Sequence, residues 1–367
     1  MKKILFISNH AGFSKFNAPY MRWFHDHGWL VHNASPGIET GYYDAQFDLP
    51  IERNPLSSNN LVALQKLRRI CRENQYDIVH CHTPVGGALG RLSVRRGSKT
   101  KVLYTAHGFH FYKGSSFLSW LIYFPIEKIL ATRTDCIVTI NEEDFLLAKK
   151  HFHTNVKKLD GVGVDLSRFA PITESARVTT RHIEGLEEDD FVLIYVAQFI
   201  ERKNHLFLIN KVDNLLDRIP NLKICLVGSG PNLEDLIKLC HKKGLSNVVR
   251  FMGYRRDVDK LYPIADLLIS VSKQEGLPIN IVEGMACGLP FVCSDIRGHR
   301  DIFARAPGNF LFEFDDDSFE KQVIYFYKNR EILKKVGQAN VKNAQIFSLE
   351  NAIRNMAKIY QEVLGSL

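Results

Sequence analysis

Two glutamates in the second half of the chain, Glu275 and Glu283, have the setting of a ligand-binding site. Glu275 falls in a short loop after a predicted strand, and Glu283 lies about one turn inside the predicted helix that starts around Pro278. The first backbone N–H groups of a helix bind anions because they have no partner inside the helix. Carboxylate oxygens accept hydrogen bonds from paired sugar hydroxyls. The pattern therefore favours a diphosphate at the helix N-terminus, with one carboxylate towards each end of a nucleotide sugar.

Other segments carry residue types that bind phosphate or metal. Gly228-Ser-Gly230-Pro follows a predicted strand, and such a loop either approaches a phosphate or makes a tight turn. His80-Cys-His82 follows another strand, whose alternation directs both side chains to one face. No further ligand cluster accompanies these histidines, so we predict no metal site. The acidic run 315–317 precedes a predicted helix and is interpreted as a cap rather than a metal ligand.

These segments are positioned by short apolar runs that alternate with amphipathic stretches of helical period. Such alternation predicts parallel, doubly wound α/β sheets. Ligands bind at the carboxyl ends of parallel strands, so the loops after the strands should line a cleft between two domains. We also predict a polar connector over residues 161–190 and an amphipathic helix after Ser348. The predicted strands are 3–8, 30–34, 78–80, 101–105 and 136–140, then 191–197, 222–227, 248–251, 267–271 and 290–293.

The motifs Glu275-Gly-Leu-Pro and Glu283-Gly-Met-Ala-Cys-Gly-Leu-Pro resemble those of glycosyltransferase family 4. The resemblance spans nearly the whole chain and implies the GT-B fold, in which two Rossmann-like domains with parallel sheets face each other across a cleft. It implies an N-terminal acceptor-binding domain over residues 1–170 and a nucleotide-sugar-binding domain over residues 171–345. A C-terminal helix over residues 346–367 is expected to cross back and pack on the first domain.

The same resemblance implies roles for the residues of the glutamate motif. Glu275 is expected to contact hydroxyls of the donor sugar, and Glu283 the ribose. Gly276 and Leu277, next to Pro278, are expected to offer backbone N–H groups to sugar or phosphate. The family retains the anomeric configuration and needs neither a metal nor another cofactor, because cationic side chains and the helix N-terminus offset the charge of the leaving diphosphate.

The cations are expected in the loop over residues 196–204. Lys203 matches the family lysine, whereas the family arginine and glycine positions hold Gln198 and Asn204. Arg202, directly before the lysine, is the predicted second charge. The alternative interpretation is that these are two solvated basic residues.

Further positions take their expected roles from the resemblance. His107 ends a predicted strand in a Thr-Ala-His-Gly motif and is expected to hydrogen-bond the transferred sugar near the reaction centre. The backbone around Tyr254 is expected to contact the edge of the base, and Gly12 the donor or the acceptor. Gly228 and Gly230 match a family loop near the phosphates, with a tight turn as the alternative.

The motifs around His80 and Thr105 resemble those of the capsule and exopolysaccharide branch of the family. This implies transfer of a hexose-type sugar from a nucleoside-diphosphate sugar, with UDP-sugars favoured, to an acceptor hydroxyl. The implied acceptor is a polyprenyl-diphosphate-linked saccharide at the inner face of the membrane. Two alternatives remain, a sugar-nucleotide epimerase of similar fold and a catalytically inactive GT-B assembly partner.

Composition and charge limit the function further. The 367 residues exceed what one core usually holds, and 45% hydrophobic with 24% charged residues is ordinary for a globular protein. A net charge of +8 suits anionic lipid or phosphorylated small molecules, and the absence of nucleic-acid-binding motifs argues against nucleic acid. Without a signal-peptide core or a run of roughly 18 apolar residues, we expect a cytoplasmic or peripheral location. The aromatic segment 109–124 fits either a membrane-contacting surface or a core.

Overall fold

The computed structural model describes residues 1–10, 12–38, 41–314 and 317–365. The chain divides into two compact units, Met1–Val162 with Leu349–Leu367, and Gly163–Ser348. Asp315 and Asp316, which belong to the acidic run interpreted above as a helix cap, lie outside the described residues. Within the described ranges, no helix is both long and apolar enough to cross a bilayer.

Strands and helices alternate along the first unit. The elements up to Val162 are β1 (Lys3–Ile7), α1 (Phe13–Asp26), β2 (Leu30–Ser35), β3 (Ala45–Asp48), α2 (Asn59–Asn74), β4 (Ile78–His82), α3 (Pro84–Ser93), β5 (Lys101–Ala106), α4 (Phe117–Ala131), β6 (Cys136–Thr139), α5 (Glu142–His151) and β7 (Asn155–Lys158).

The second unit repeats this alternation, and a last helix follows it. The elements are α6 (Glu174–Ile183), β8 (Phe191–Val196), α7 (His205–Leu216), β9 (Leu222–Val227), α8 (Leu233–Lys242), β10 (Val249–Phe251), α9 (Val258–Leu261), β11 (Leu267–Ser270), α10 (Ile279–Ala286), β12 (Phe291–Ser294), α11 (His299–Phe303), β13 (Phe310–Phe312), α12 (Ser318–Lys328), α13 (Arg330–Asn343) and α14 (Leu349–Leu364).

Each unit contains one parallel sheet in its described residues. The first sheet has the order β3-β2-β1-β4-β5-β6-β7, and the second has the order β10-β9-β8-β11-β12-β13. In the first sheet His82 pairs with Thr105, and in the second Leu268 pairs with Ile194. The loops after β4 and β5 therefore meet at one edge, as do the loops after β8 and β11.

The ten strands predicted from apolar runs are confirmed, with bounds within two residues. Parallel strands covered on both faces need continuous apolar sequence, and the first five residues of β8 are all buried. Sequence analysis missed β3, β7 and β13. All three lie at sheet edges and are four residues or shorter, and the first two are half-exposed and partly polar. The first two therefore lack the apolar run that marks a central strand, and the apolar run of β13 is only three residues long.

The interpretation of residues 174–181 as part of a polar connector was wrong, because they form most of helix α6. Thr173 caps the helix by accepting a hydrogen bond from the N–H of Ala176 at 3.3 Å. Arg181 is buried, and it donates to the Ile264 carbonyl at 2.9 Å and to Oδ2 of Asp266 at 2.8 Å. These partners are distant in sequence, so local polarity alone could not identify the helix.

Helix α14 belongs to the first unit, as the expected GT-B topology requires. Met356, Ile359 and Tyr360 are buried in the same cluster as Phe24, whose ring centroid lies 4.6 Å from that of Tyr360. The compact first unit ends at Val162, eight residues before the predicted domain boundary at residue 170. The difference arises because Val164 and Phe169 pack into the core of the second unit.

Candidate functional site

A cluster of charged side chains lies at the carboxyl edge of the second sheet. The loop between β11 and α10 holds Glu275, which is only 8% exposed. Its carboxylate forms ion pairs with Nζ of Lys203 and, at 3.4 Å, with Nη1 of Arg202. Both cations come from the short 3-10 turn after β8, which is the strand next to β11. The structure therefore brings together Arg202, Lys203 and Glu275 from two adjacent loops.

Several hydrogen bonds hold the two loops in register. The hydroxyl of Tyr195 donates to the Lys203 carbonyl at 2.9 Å and lies 2.8 Å from Oγ of Ser272. The N–H of Lys273 donates to the Arg202 carbonyl at 2.8 Å. Nε of Arg297, which is buried, donates to the carbonyl of Glu275 at 3.2 Å. The cations and the carboxylate are therefore fixed by backbone contacts before any ligand arrives.

The charge state of Glu275 follows from its surroundings. Burial by itself raises the pKa of this carboxyl, but the charge and hydrogen bond of Lys203 lower it more, so the net pKa shift is downward. Glu275 is therefore an ionised group at neutral pH. An ionised carboxylate accepts hydrogen bonds and donates none, which suits the binding of sugar hydroxyls.

The loop after β8 departs from the family pattern at two positions, Asn204 and Gln198. Asn204 stands where the family has glycine, and its φ of 56° and ψ of 35° are left-handed. Asparagine tolerates this conformation better than most residues, so the turn that presents Lys203 is kept. Gln198, at the family arginine position, is exposed, whereas Arg202 reaches Glu275.

Glu283 is the fifth residue of the eight-residue helix α10, in a different environment. Its Oε2 accepts a hydrogen bond from the hydroxyl of buried Tyr262 at 3.0 Å. Burial raises the pKa of Glu283 to about 7, while Tyr262 and Arg168 lower it and Asp259 raises it. The two glutamates of the motif therefore differ, because Glu275 stays ionised and Glu283 changes charge near neutral pH.

The Gly228–Gly230 loop packs against the backbone of the neighbouring loop. A Cβ on Gly228 would lie 2.0 Å from the carbonyl oxygen of Ala197, and one on Gly230 would lie 2.5 Å from that of Phe199. The N–H of Gly228 donates to the Gly253 carbonyl at 2.8 Å. Close packing thus accounts for both glycines, and a phosphate contact by either remains a prediction.

The remaining predicted donor contacts surround the start of α10. Pro278 directly precedes the helix and offers no side-chain cap. The N–H of Ile281 donates to the Pro278 carbonyl at 3.3 Å, which leaves the N–H groups of Ile279 and Asn280 for a ligand. Gly276 lies in the loop before it, and Leu277 is partly buried against the core. Tyr254 is 70% exposed after β10. These positions keep their predicted roles as expectations.

In the first unit, His82 at the end of β4 lies next to His107, which directly follows β5. Nδ1 of His82 lies 3.2 Å from Nε2 of His107, and the ring of Phe13 contacts both histidines. Phe13 begins α1 and follows Gly12, so the predicted Gly12 and His107 positions adjoin the same cluster. His107 is partly exposed, whereas His82 is buried.

The His-x-His motif forms a hydrogen-bonded cluster. Nδ1 of His80 lies 2.7 Å from the hydroxyl of Tyr360, and its Nε2 lies 2.8 Å from Oγ1 of Thr105. Burial lowers the pKa of His80 to about 3 and that of His107 to about 4. His107 is therefore a neutral ring at physiological pH, able to donate from one nitrogen and accept at the other.

Comparison with known proteins assigns the chain to a family. A model described as "Glycosyl transferase 4-like" matches residues 3–141, and one described as "Glycosyl transferases group 1" matches residues 177–343. EpsD of Bacillus subtilis (strain 168), whose name describes it as a glycosyltransferase, is 40% identical over 366 residues, or 98% of this chain and 96% of EpsD. The chain is a group 1 glycosyltransferase of family 4. The resemblance found in the motifs is thus confirmed.

Two more distant proteins are similar to the glycosyltransferase. The Escherichia coli UDP-Gal:alpha-D-GlcNAc-diphosphoundecaprenol alpha-1,3-galactosyltransferase is 28% identical over 273 residues, covering 73% of this chain and 70% of that enzyme. The crystal structure of Anabaena Alr3699/HepE in complex with UDP and glucose superposes with a TM-score of 0.81 at 17% identity, covering 99% of this chain and 100% of that one. The expected GT-B fold is confirmed by this likeness and by the two parallel sheets.

Sequence analysis missed several residues that shape the donor loops of the glycosyltransferase. Buried His299 donates from Nδ1 to the Ser294 carbonyl at 2.7 Å, and its Nε2 lies 3.2 Å from Oγ of Ser270. Arg297 and Tyr195 also hold these loops. The only signal was the polar character of Arg297 and His299 directly after a predicted strand, which did not indicate where their side chains would point.

Gly298 offers a test of how tightly the donor loop must pack. Its φ is +77°, and an added Cβ would lie 2.4 Å from the carbonyl oxygen of Gly276. We expect Gly298→Ala to lower the free energy of unfolding by about 2–4 kcal/mol, measured by urea denaturation, and to weaken nucleotide-sugar binding. Gly244→Ala is the matched control, since its φ is +70° with no atom near the added Cβ. It should cost about 1 kcal/mol and leave binding intact. Equal effects of the two substitutions would contradict the close-packing argument.

Proposed function

We propose that this glycosyltransferase moves a hexose-type sugar from a UDP-sugar to an acceptor hydroxyl with retention of the anomeric configuration. The observation that carries the proposal is the pairing of Arg202 and Lys203 with buried Glu275, one loop before helix α10. This arrangement holds positive charge beside an ionised carboxylate and a helix N-terminus. Such a site matches a diphosphate joined to a polyhydroxylated ring.

In the proposed reaction, the bond between the anomeric carbon and the diphosphate oxygen breaks while the acceptor oxygen bonds to that carbon from the same face. The acceptor proton passes to an oxygen of the leaving diphosphate. Lys203, Arg202 and the N–H groups near Leu277 stabilise the developing negative charge, so the proposal requires neither a metal nor a protein nucleophile. Glu275 orients the sugar through its hydroxyls, and Glu283 accepts hydrogen bonds from the ribose.

His107 is assigned a binding role. Because its pKa is lowered to about 4 by burial, it is a neutral hydrogen-bonding group rather than a cation at physiological pH. We assign it to a hydroxyl of the transferred sugar. Its contact with His82 restrains the orientation of the ring.

The proposed acceptor is a saccharide linked to a polyprenyl diphosphate, used in capsule or exopolysaccharide synthesis. The name of the Escherichia coli relative describes an enzyme that acts on a GlcNAc-diphosphoundecaprenol acceptor. The similarity to EpsD, at 40% identity over nearly the full length of both chains, is closer still. A lipid-linked acceptor also places the reaction next to a membrane.

The donor is tested by thermal unfolding of the purified protein with UDP-, GDP- and dTDP-sugars, and with NAD as a negative control. A ligand that binds the native state raises its melting temperature. We expect stabilisation by a UDP-sugar, weakened in Glu283→Ala, and release of UDP when lipid-linked saccharide is added. NMR of the product should give the same anomeric configuration as the donor, with or without a chelator. Binding without turnover on any acceptor would favour an inactive assembly partner, and stabilisation by NAD alone would overturn the proposal.

A further inference from the structure

Helix α4 of the first unit presents an apolar face to solvent. Six of its large apolar side chains are between 47% and 78% exposed, and their spacing places them on one side of the helix. A contiguous exposed apolar face of this kind marks a contact surface rather than ordinary scattered exposure. The side chains are Phe117, Leu118, Leu121, Ile122, Ile126 and Ile129.

A buried ion pair on the opposite side fixes this orientation. Arg91 donates from Nη1 and Nη2 to the two carboxylate oxygens of Glu127 at 2.7 and 3.1 Å, and its guanidinium lies 4.0 Å from the ring centroid of Tyr104. Trp120 and Phe124 pack on the same inner side. The only acidic residue of α4 is thus turned inward, while five of its six leucine and isoleucine side chains point outward. A helix that faces water carries polar residues on its outer side instead.

A cationic cavity of about 810 Å³ lies at the amino edge of the first sheet, and we call it the basic cavity. Six cations line it, and among the described residues none of the six is paired with a carboxylate. Asp77 is the acidic residue of the lining, and its Oδ2 accepts a hydrogen bond from the backbone N–H of Lys3. The six cations are Arg68, Arg72, Arg95, Arg96, Lys99 and Arg133.

The basic cavity adjoins the C-terminal end of α4. Thr132 directly follows the helix, and its Oγ1 lies 3.4 Å from Nη2 of Arg96. Arg133, the next residue, lines the basic cavity. The apolar face therefore leads directly into a surface of unpaired positive charge.

We propose that the outer face of α4 and the basic cavity form one surface that lies on an anionic lipid bilayer. The 15 residues of α4 span about 23 Å, which is too short to cross a membrane but suits a helix lying in the interface. The unpaired arginines complement lipid phosphates. A second copy of the chain fits this face less well, because a symmetric contact would bring two basic cavities together. The proposal rests on exposed side chains and is independent of the sugar donor.

The test is flotation of the full-length protein with vesicles, without nucleotide sugar. We expect binding to phosphatidylcholine vesicles that contain phosphatidylglycerol, with weaker binding in high salt or to phosphatidylcholine alone. Leu121→Gln with Ile122→Gln should weaken binding at least about tenfold. Arg95→Gln with Arg96→Gln should weaken it about twentyfold, and only on the anionic vesicles.

Matched controls separate this surface from general effects of charge and apolarity. Leu61→Gln with Val62→Gln removes two exposed apolar side chains from α2, and Lys334→Gln with Lys335→Gln removes two charges from α13. Both control variants should bind vesicles like the unchanged protein. All four double variants should keep the melting temperature of the unchanged protein. Binding that survives the α4 and arginine substitutions, or no binding to anionic vesicles, would overturn the proposal. It would also fail if Leu121→Gln with Ile122→Gln converted a dimer to a monomer without altering vesicle binding, since a second copy would then cover the face.

Discussion

We expect Lys203→Met to lower the rate of sugar transfer at saturating donor by about 10²- to 10³-fold. The ammonium of Lys203 is the nearest cation to Glu275 and lies one loop from the N-terminus of α10, where the diphosphate would leave. Removing it withdraws charge stabilisation that is needed most in the transition state. The measurement is the initial rate of UDP release in the presence of acceptor.

The same substitution should also destabilise the fold, and the two effects can be separated. Without Lys203, the one ion pair that buried Glu275 keeps among the described residues is with Arg202 at 3.4 Å, so unfolding free energy should fall by about 1–3 kcal/mol. Adding Glu275→Gln removes the uncompensated charge and should restore much of the stability but none of the activity. Lys238→Met is the control, because that lysine is exposed on α8 and loses the same charge. Full activity of Lys203→Met would show that the cation only holds the loop.

We expect the affinity for the donor to fall about tenfold for each pH unit below the pKa of Glu283, which burial raises to about 7. Ribose hydroxyls donate best to the ionised carboxylate, so binding must displace the proton that Glu283 carries at lower pH. Calorimetric titrations with a UDP-sugar on both sides of pH 7 measure this slope. Glu283→Gln should bind more weakly and show no slope in this range.

Two further measurements check why the pKa of Glu283 is raised. Tyr262 donates to Glu283 and lowers its pKa, so Tyr262→Phe should move the inflection to higher pH. In the unliganded protein the carboxyl has a higher pKa folded than unfolded, where its ordinary value is 4.5. Unfolding free energy should therefore decline as pH rises between these two values, and this decline should be smaller in Glu283→Gln. A donor affinity that is flat with pH in the unchanged protein would contradict the assignment.

Local sequence predicted part of the candidate donor site. Glu275, Glu283 and the start of α10 were predicted because strand, loop and helix signals lie within one short segment. The contact between Lys203 and Glu275, 72 positions apart, depends on β8 and β11 being neighbours in the sheet. The motif resemblance assigned both residues to the donor site, but neither it nor the spacing predicted their ion pair. The sequence did not indicate that the pKa of Glu275 is lowered and that of Glu283 raised, since both are the same residue type.

The sequence by itself determined the central strands, the alternation of strands with helices, the family and the motif residues. These follow from periodicity and from short motifs, which are local properties of the chain. Only the tertiary structure decided that Arg181 is buried, that His80 bonds to Tyr360 at the far end of the chain, and that α4 turns its glutamate inward. Burial and charge pairing depend on which distant residues pack together. They set the pKa of Glu283 and the exposure of the α4 face through contacts that the order of residues does not show.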